Sequence, residues 1–116
     1  AYTVDIGFTL NNWHHVVLVY DKTNSNYYYY RDGIQYSVTP TISTNTNTSF
    51  YSLKIGRPSI TNLYYTNGKL DEVAIWNTAL TSTQVQSIYD ATSTNLTKDL
   101  TTVSGSNLIY WNRMGD

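Results

Sequence analysis

Between residues 2 and 10 the even positions Tyr2, Val4, Ile6, Phe8 and Leu10 are apolar, and Thr3, Asp5, Gly7 and Thr9 lie between them. A period of two is that of a strand with one buried face, so this segment is predicted to be a strand. Asn11-Asn12 reads as a turn, and the nearly continuous apolar run at 13–20 predicts a strand covered on both faces. Positions 21–26 form a polar turn, 27–31 a third strand, and Asp32-Gly33 is the pair that suits a tight hairpin into 34–38. The Thr/Asn/Ser stretch at 40–49 has no apolar period and reads as a long surface loop. Alternation returns at 50–55 and stops at Gly56 and Pro58; Asn67-Gly68 makes another turn, and 70–76 reads as a strand buried on both sides.

One helix is predicted, at 82–91. Thr81 and Gln84 have the spacing of a capping box, in which each side chain satisfies a free backbone N–H near the other residue. Leu80 and Val85 are placed to pack across that cap, and Val85, Ile88 and Tyr89 form a one-sided apolar stripe. Residues 92–107 read as a polar linker or loop, followed by a last strand at 108–111.

Composition narrows the function classes. A length of 116 residues leaves room for one domain. Only 13% of residues are charged and the net charge is −1, so there is no electrostatic footprint for nucleic acid or for an anionic membrane. Abundant Thr, Ser and Asn with 12 Tyr and 3 Trp suits an all-β protein. The absence of cysteine removes disulfides, thiolate metal sites and cysteine nucleophiles, while leaving the compartment open. No apolar run approaches the roughly 18–20 residues needed to span a bilayer, and the first ten residues alternate instead of forming a signal-peptide core.

Four landmarks in order then carry a family likeness. They are Trp13-His14-His15-Val16-Val17 with Tyr20-Asp21; Tyr30-Arg31-Asp32-Gly33; Leu53-Lys54-Ile55-Gly56; and the run from Gly68-Lys69-Leu70-Asp71-Glu72-Val73 through Ala74-Ile75-Trp76-Asn77-Thr78-Ala79-Leu80-Thr81. The chain resembles the concanavalin A-like, laminin-G-like domain family over residues 2–91. The resemblance implies an all-β fold, a jelly-roll sandwich of two antiparallel sheets with one short helix near 82–91. Such domains carry further strands before the W-H-H-V landmark, so residues 1–91 are expected to be the C-terminal part of one. The tail at 108–116 resembles the opening strand of such a domain in phage and other surface proteins, and is expected either to close the sandwich or to begin a further module.

The chemistry-bearing residues point away from catalysis. His14 and His15, as strand neighbours, point to opposite faces and cannot share one metal ion, so a structural role is expected for both. Asp71 and Glu72 have the same geometry, and the chain lacks the paired carboxylates on one strand that glycoside hydrolysis needs. No Ser lies in a G-x-S-x-G turn. Calcium is a candidate cofactor through Asp21, Asp32 and Asp71 at predicted strand ends, since hard cations take carboxylate and loop oxygens. In Tyr27-Tyr28-Tyr29-Tyr30, Tyr27 and Tyr29 share a face with Arg31, and Tyr28 and Tyr30 share the other with Asp32. One face must pack the core and the other presents rings able to stack on sugars; aromatic residues also favour strands for packing alone. Ligand contact is assigned to Tyr28, Tyr30 and the loop pair Tyr64 and Tyr65, whereas Trp13 and Trp76 are expected in the core. The reading is a non-catalytic module on a cell or virion surface that recognises glycan or protein. Its alternative is a structural element of a phage or virion fibre or decoration protein, completed by strands of neighbouring chains.

Overall fold

The computed structural model describes residues 7–36, 55–56, 66–93 and 98–114. Within them the chain is mostly β, with two antiparallel sheets. Strands β1 (Val16–Asp21), β2 (Asn26–Arg31) and β3 (Ile34–Tyr36) form the first, in the order β1-β2-β3. Strands β4 (Val73–Trp76) and β5 (Leu108–Asn112) form the second. Helix α1 (Ser82–Ser93) and two 3-10 turns, Leu100–Thr102 and Gly105–Asn107, connect β4 to β5.

The first sheet is a meander whose register is set by its turns. Asp32 and Gly33 both have positive φ, 52° and 77°, the requirement of a two-residue type I′ hairpin, and Arg31 and Ile34 close it. Glycine adopts this backbone without a Cβ clash, and aspartate is among the few other residues that tolerate it. Tyr20 then lies opposite Tyr27, Val19 opposite Tyr28, Leu18 opposite Tyr29 and Val17 opposite Tyr30.

Several predicted strands are shorter than expected or lie largely outside the described residues. Of the strand expected at 2–10, residues 7–10 are irregular, beginning at Gly7 with φ 64°, and the rest lies outside the described residues. β4 starts only at Val73 because Glu72 has φ 53°, which an extended strand does not allow. The strand expected at 50–55 falls outside the described residues except for Ile55.

Helix α1 follows its sequence signals closely. Thr81 N–H donates to Gln84 Oε1 at 2.9 Å and Gln84 N–H donates to Thr81 Oγ1 at 3.2 Å, a reciprocal capping box. Leu80 and Val85 are both buried beneath it, Val85 completely. The helix is tied onward by Gln84 Nε2 donating to Ser104 Oγ at 2.8 Å.

Among the described residues, one apolar cluster joins these parts. Val19 and Tyr30 from the first sheet meet Leu80, Val85 and Ile88 around the helix, with Leu100 and Val103 from the 3-10 segment. Val17, Tyr28, Ala74, Trp76, Leu108 and Trp111 pack at its margin. The stretch expected to be a polar linker thus supplies two buried residues, and Trp76 Nε1–H donates to the carbonyl of Val103 at 2.8 Å to hold it. Trp13, expected in the core, is 66% exposed on the irregular segment before β1.

Val85→Ala removes two carbons from a fully enclosed site and is expected to cost about 2 kcal/mol, from lost transfer energy plus a residual cavity. Urea denaturation is expected to show a lower midpoint with an unchanged slope; a midpoint within error of the parent would mean that Val85 is not the keystone of the core.

Candidate functional site

The period-two pattern of the tyrosine run has a definite sense in the structure. Tyr28 and Tyr30, the pair assigned to ligand, turn toward the core, and Tyr30 is only 4% exposed. Its hydroxyl donates to Gln35 Oε1 at 3.2 Å, and burial, with a smaller contribution from Tyr28, pushes its pKa upward. The outward face is instead built from Val16, Leu18 and Tyr20 of β1, facing Arg31, Tyr29 and Tyr27 of β2. Ile34 and Tyr36 of β3 continue two of those rows.

This outer face is apolar in its middle and polar at its tips. Leu18 is 59% exposed, and Val16, Tyr20 and Ile34 are exposed as well. Tyr20 and Tyr27 stack with ring centroids 4.6 Å apart. The Arg31 guanidinium lies 5.0 Å from the centroid of the Tyr36 ring, donates to the Tyr36 hydroxyl, and also donates to the carbonyl of Gly7. Rings held in this way present flat surface at low entropic cost.

Beside that face, Asp32 gathers three segments. Its Oδ1 accepts the backbone N–H of His15 at 2.9 Å, its Oδ2 lies 2.8 Å from His14 Nδ1, and Arg31 Nε is 3.7 Å away. Thr9 N–H donates to His14 Nε2 at 3.2 Å, so that nitrogen carries the lone pair and Nδ1–H is the donor to Asp32. The Thr9 hydroxyl is also 2.9 Å from His14 Nε2. A hydroxyl, an imidazole and a carboxylate in series resemble a hydrolytic relay, but here the imidazole acceptor also receives the backbone N–H of Thr9. The arrangement pins a loop to a turn.

The two histidines separate as strand geometry requires. His15 is half-buried and stacks on Tyr89 of α1 at 6.2 Å between centroids. Its Nδ1 is buried with no hydrogen-bond partner among the described residues, and desolvation, partly offset by Asp32, lowers its pKa.

Of the carboxylates proposed for calcium, each serves its own turn. Asp21 accepts Asn24 Nδ2–H at 2.7 Å and Asn24 N–H at 3.2 Å, Asp71 accepts the N–H of Glu72 at 3.0 Å, and Asp32 is engaged as above. Among the described residues, no three His, Asp or Glu side chains form a group able to hold a metal ion. Tyr64 and Tyr65 lie outside the described residues.

A further cluster was not anticipated from the sequence. Trp111 Nε1–H donates to Glu72 Oε2 at 2.7 Å, while Arg113 sits 3.5 Å from Glu72 Oε1 and 5.6 Å from the Trp111 ring centroid. These residues are 39 or more positions apart from Glu72, so no local spacing could have announced the contact. Its role is to fasten β5 to the start of β4.

The carboxyl of Asp32 feels opposing influences. Desolvation raises its pKa, but the hydrogen bonds from His14 and His15, with the nearby charge of Arg31, outweigh that and hold it below its ordinary value of 3.8. Its contribution to stability is therefore present above that value and lost as pH falls through the depressed one. His15, with a pKa lowered from 6.5, binds its proton more readily unfolded, so its contribution is complete above 6.5 and is lost as pH falls through that region. Stability measured by urea at stepped pH is expected to decline in two stages. His15→Phe should flatten the upper stage and Asp32→Asn the lower; an unchanged profile in either variant would remove that residue from the account.

Among the described residues, no helix is long and apolar enough to cross a membrane. Comparison with curated proteins and with solved structures returns no match. A family model does match, over residues 1–86, and its description is Laminin_G_3, concanavalin A-like lectin/glucanases superfamily. That span holds the Trp13-His14-His15 segment, the Asp32-Gly33 hairpin, β4 and the capped start of α1. The chain belongs to this laminin-G-like, concanavalin A-like family, whose domains are generally non-catalytic binding modules, typically extracellular or surface-associated.

Proposed function

We propose that this chain is a non-catalytic binding module on a cell or virion surface that recognises a glycan or protein ligand. The observation that carries it is the outer face of β1 and β2, where Val16, Leu18 and Tyr20 are exposed beside the half-buried Tyr27 and Tyr29. A face of this kind offers flat aromatic surface, hydroxyl tips and one guanidinium, the groups that stack on and hydrogen-bond to sugars or to a protein partner. Low charge and the polar loops are in keeping with an exterior surface. Closure of the two sheets into a jelly-roll sandwich is part of the proposal and is supported by the family match. Tyr64 and Tyr65 stay in it as loop-borne contacts, on the general ground that binding residues concentrate in loops.

One observation favours the assembly reading as a second possibility. Among the described residues, β1 lies at the edge of its sheet and carries three exposed apolar side chains. Such an edge is a template for a strand of another chain.

The two readings part in a paired experiment. Ligand capture on a glycan and cell-surface protein array is expected to fall about tenfold or more for Leu18→Ala combined with Tyr29→Ala, and for Tyr64→Ala with Tyr65→Ala, since each truncation removes roughly 1 kcal/mol or more of contact. Loss of thermal stability without loss of capture would reassign those residues to packing. Light scattering with and without chelator completes the pair: a compact monomer supports the module, whereas a stable oligomer makes strand completion between chains the primary function. Dependence of either result on chelator would bring Asp21, Asp32 and Asp71 back as calcium ligands.

A further inference from the structure

In the described residues, Asn or Asp is followed by Gly or Ser at Asn24-Ser25, Asp32-Gly33 and Asn67-Gly68. A pair of this kind can cyclise, because the main-chain nitrogen of the second residue can reach the Cγ of the first. A glycine in second place puts no Cβ in the way. In the whole sequence Asn67-Gly68 is the one Asn-Gly pair.

The fold treats the three differently. Asn24 Nδ2–H donates to Asp21 Oδ2 at 2.7 Å, and the Ser25 N–H already donates to the carbonyl of Lys22 at 3.4 Å, so amide and attacking nitrogen are both engaged. Asp32 is an ionised carboxylate, a poor electrophile, and His14 and His15 occupy its two oxygens.

Asn67 and Gly68 are both exposed. Among the described residues, neither the Asn67 side-chain amide nor the Gly68 N–H has a hydrogen-bond partner. Chain neighbours aside, a Cβ built on Gly68 would meet only Thr66 Cγ2, at 4.0 Å, so the space around the nitrogen is open. The segment is held on either side of the pair and not at it. Thr66 N–H donates to the Gly56 carbonyl at 2.8 Å, and Leu70 Cδ1 would lie 3.8 Å from a Cβ built on Gly56.

We infer that Asn67 is a site of spontaneous deamidation, through a succinimide closed by the nitrogen of Gly68. The Gly68 nitrogen gives its proton to solvent base and attacks Asn67 Cγ. The N–Cγ bond forms, the Cγ–Nδ2 bond breaks, and ammonia leaves with a proton from water. Water then opens the ring. Cleavage at the former side-chain carbonyl gives aspartate; cleavage at the main-chain carbonyl gives isoaspartate, whose backbone runs through the former side chain. Nothing is oxidised or reduced, and water is the co-reactant. The exchange adds one negative charge to a chain of net charge −1, and as isoaspartate it lengthens the arch that Thr66 and Leu70 anchor on Gly56. No residue of the core cluster lies in that arch, so the fold outlasts the change.

Incubation of the full chain in buffers from mildly acid to mildly alkaline pH, followed by intact mass and by peptide mapping that distinguishes the two acids, tests the site. The peptide holding Asn67 is expected to gain the mass of an acid over an amide before any other asparagine peptide, with isoaspartate as the main product, and faster as pH rises. Gly68→Ala, whose Cβ has room in the fold, is expected to slow the conversion about tenfold, because that Cβ obstructs the approach of the nitrogen. In urea, where their folded contacts are gone, Asn24 and Asp32 are expected to gain on Asn67; an unchanged ratio of rates would overturn the selection by the fold. Another asparagine converting first in the folded chain, Asp32 isomerising as fast as Asn67 converts, an Asn67 peptide that stays unchanged, or a rate indifferent to pH or to Gly68→Ala would each overturn the inference.

Discussion

The hairpin at Asp32-Gly33 is the constraint on which the rest is built. Both residues are left-handed, and the Asp32 carboxylate reaches back to the His15 N–H and the His14 ring, so turn and incoming strand are fixed together. With the turn pinned, the pairing of β1 with β2 follows residue by residue. A slip of β1 by one position would reverse the faces of that strand, bringing Val19 out of the core and sending Leu18 into it. The same turn brings Gly33 against Gln86, so one local device sets the outer face, the inner packing and the approach of the helix.

How much of this could be read from the sequence depended on whether the signal was local. The capping box and the Leu80–Val85 contact are encoded within six residues, and the helix starts where they place it. The Asp32-Gly33 pair likewise announces its own turn. The alternation of the tyrosines was equally plain, but a period of two has no sign: it tells which rings share a face and not which face is inside. The sign comes from the core cluster, which Val19 and Tyr30 join from the first sheet and which the helix, Leu100 and Val103 join from far along the chain.

The failures have the same origin. Leu100 and Val103 sit singly among threonines and serines, with no periodic neighbours, so nothing in their surroundings marks them as core. Trp13, expected inside as part of a landmark strand, precedes β1 and stays exposed. Glu72, the single glutamate, gave no sign of its φ of 53° or of its bond to Trp111, both of which are set by the return of β5. Placement of the binding surfaces was accordingly the least legible part of the chain.

The pairing of β4 with β5 differs in kind from the other contacts. The three strands of the first sheet meet across short turns, and the helix is nucleated by its own cap, so each can form early at small entropic expense. Trp111 finds Glu72 only after 39 positions of chain have been drawn into a loop. Formation of the second sheet therefore costs more loop-closure entropy than formation of the first. Ile109 and Tyr110, exposed on β5 at the end of that loop, are apolar surface beside a strand edge that stays unpaired until β4 and β5 meet, and an unpaired edge of that kind is open to pairing with a neighbouring chain.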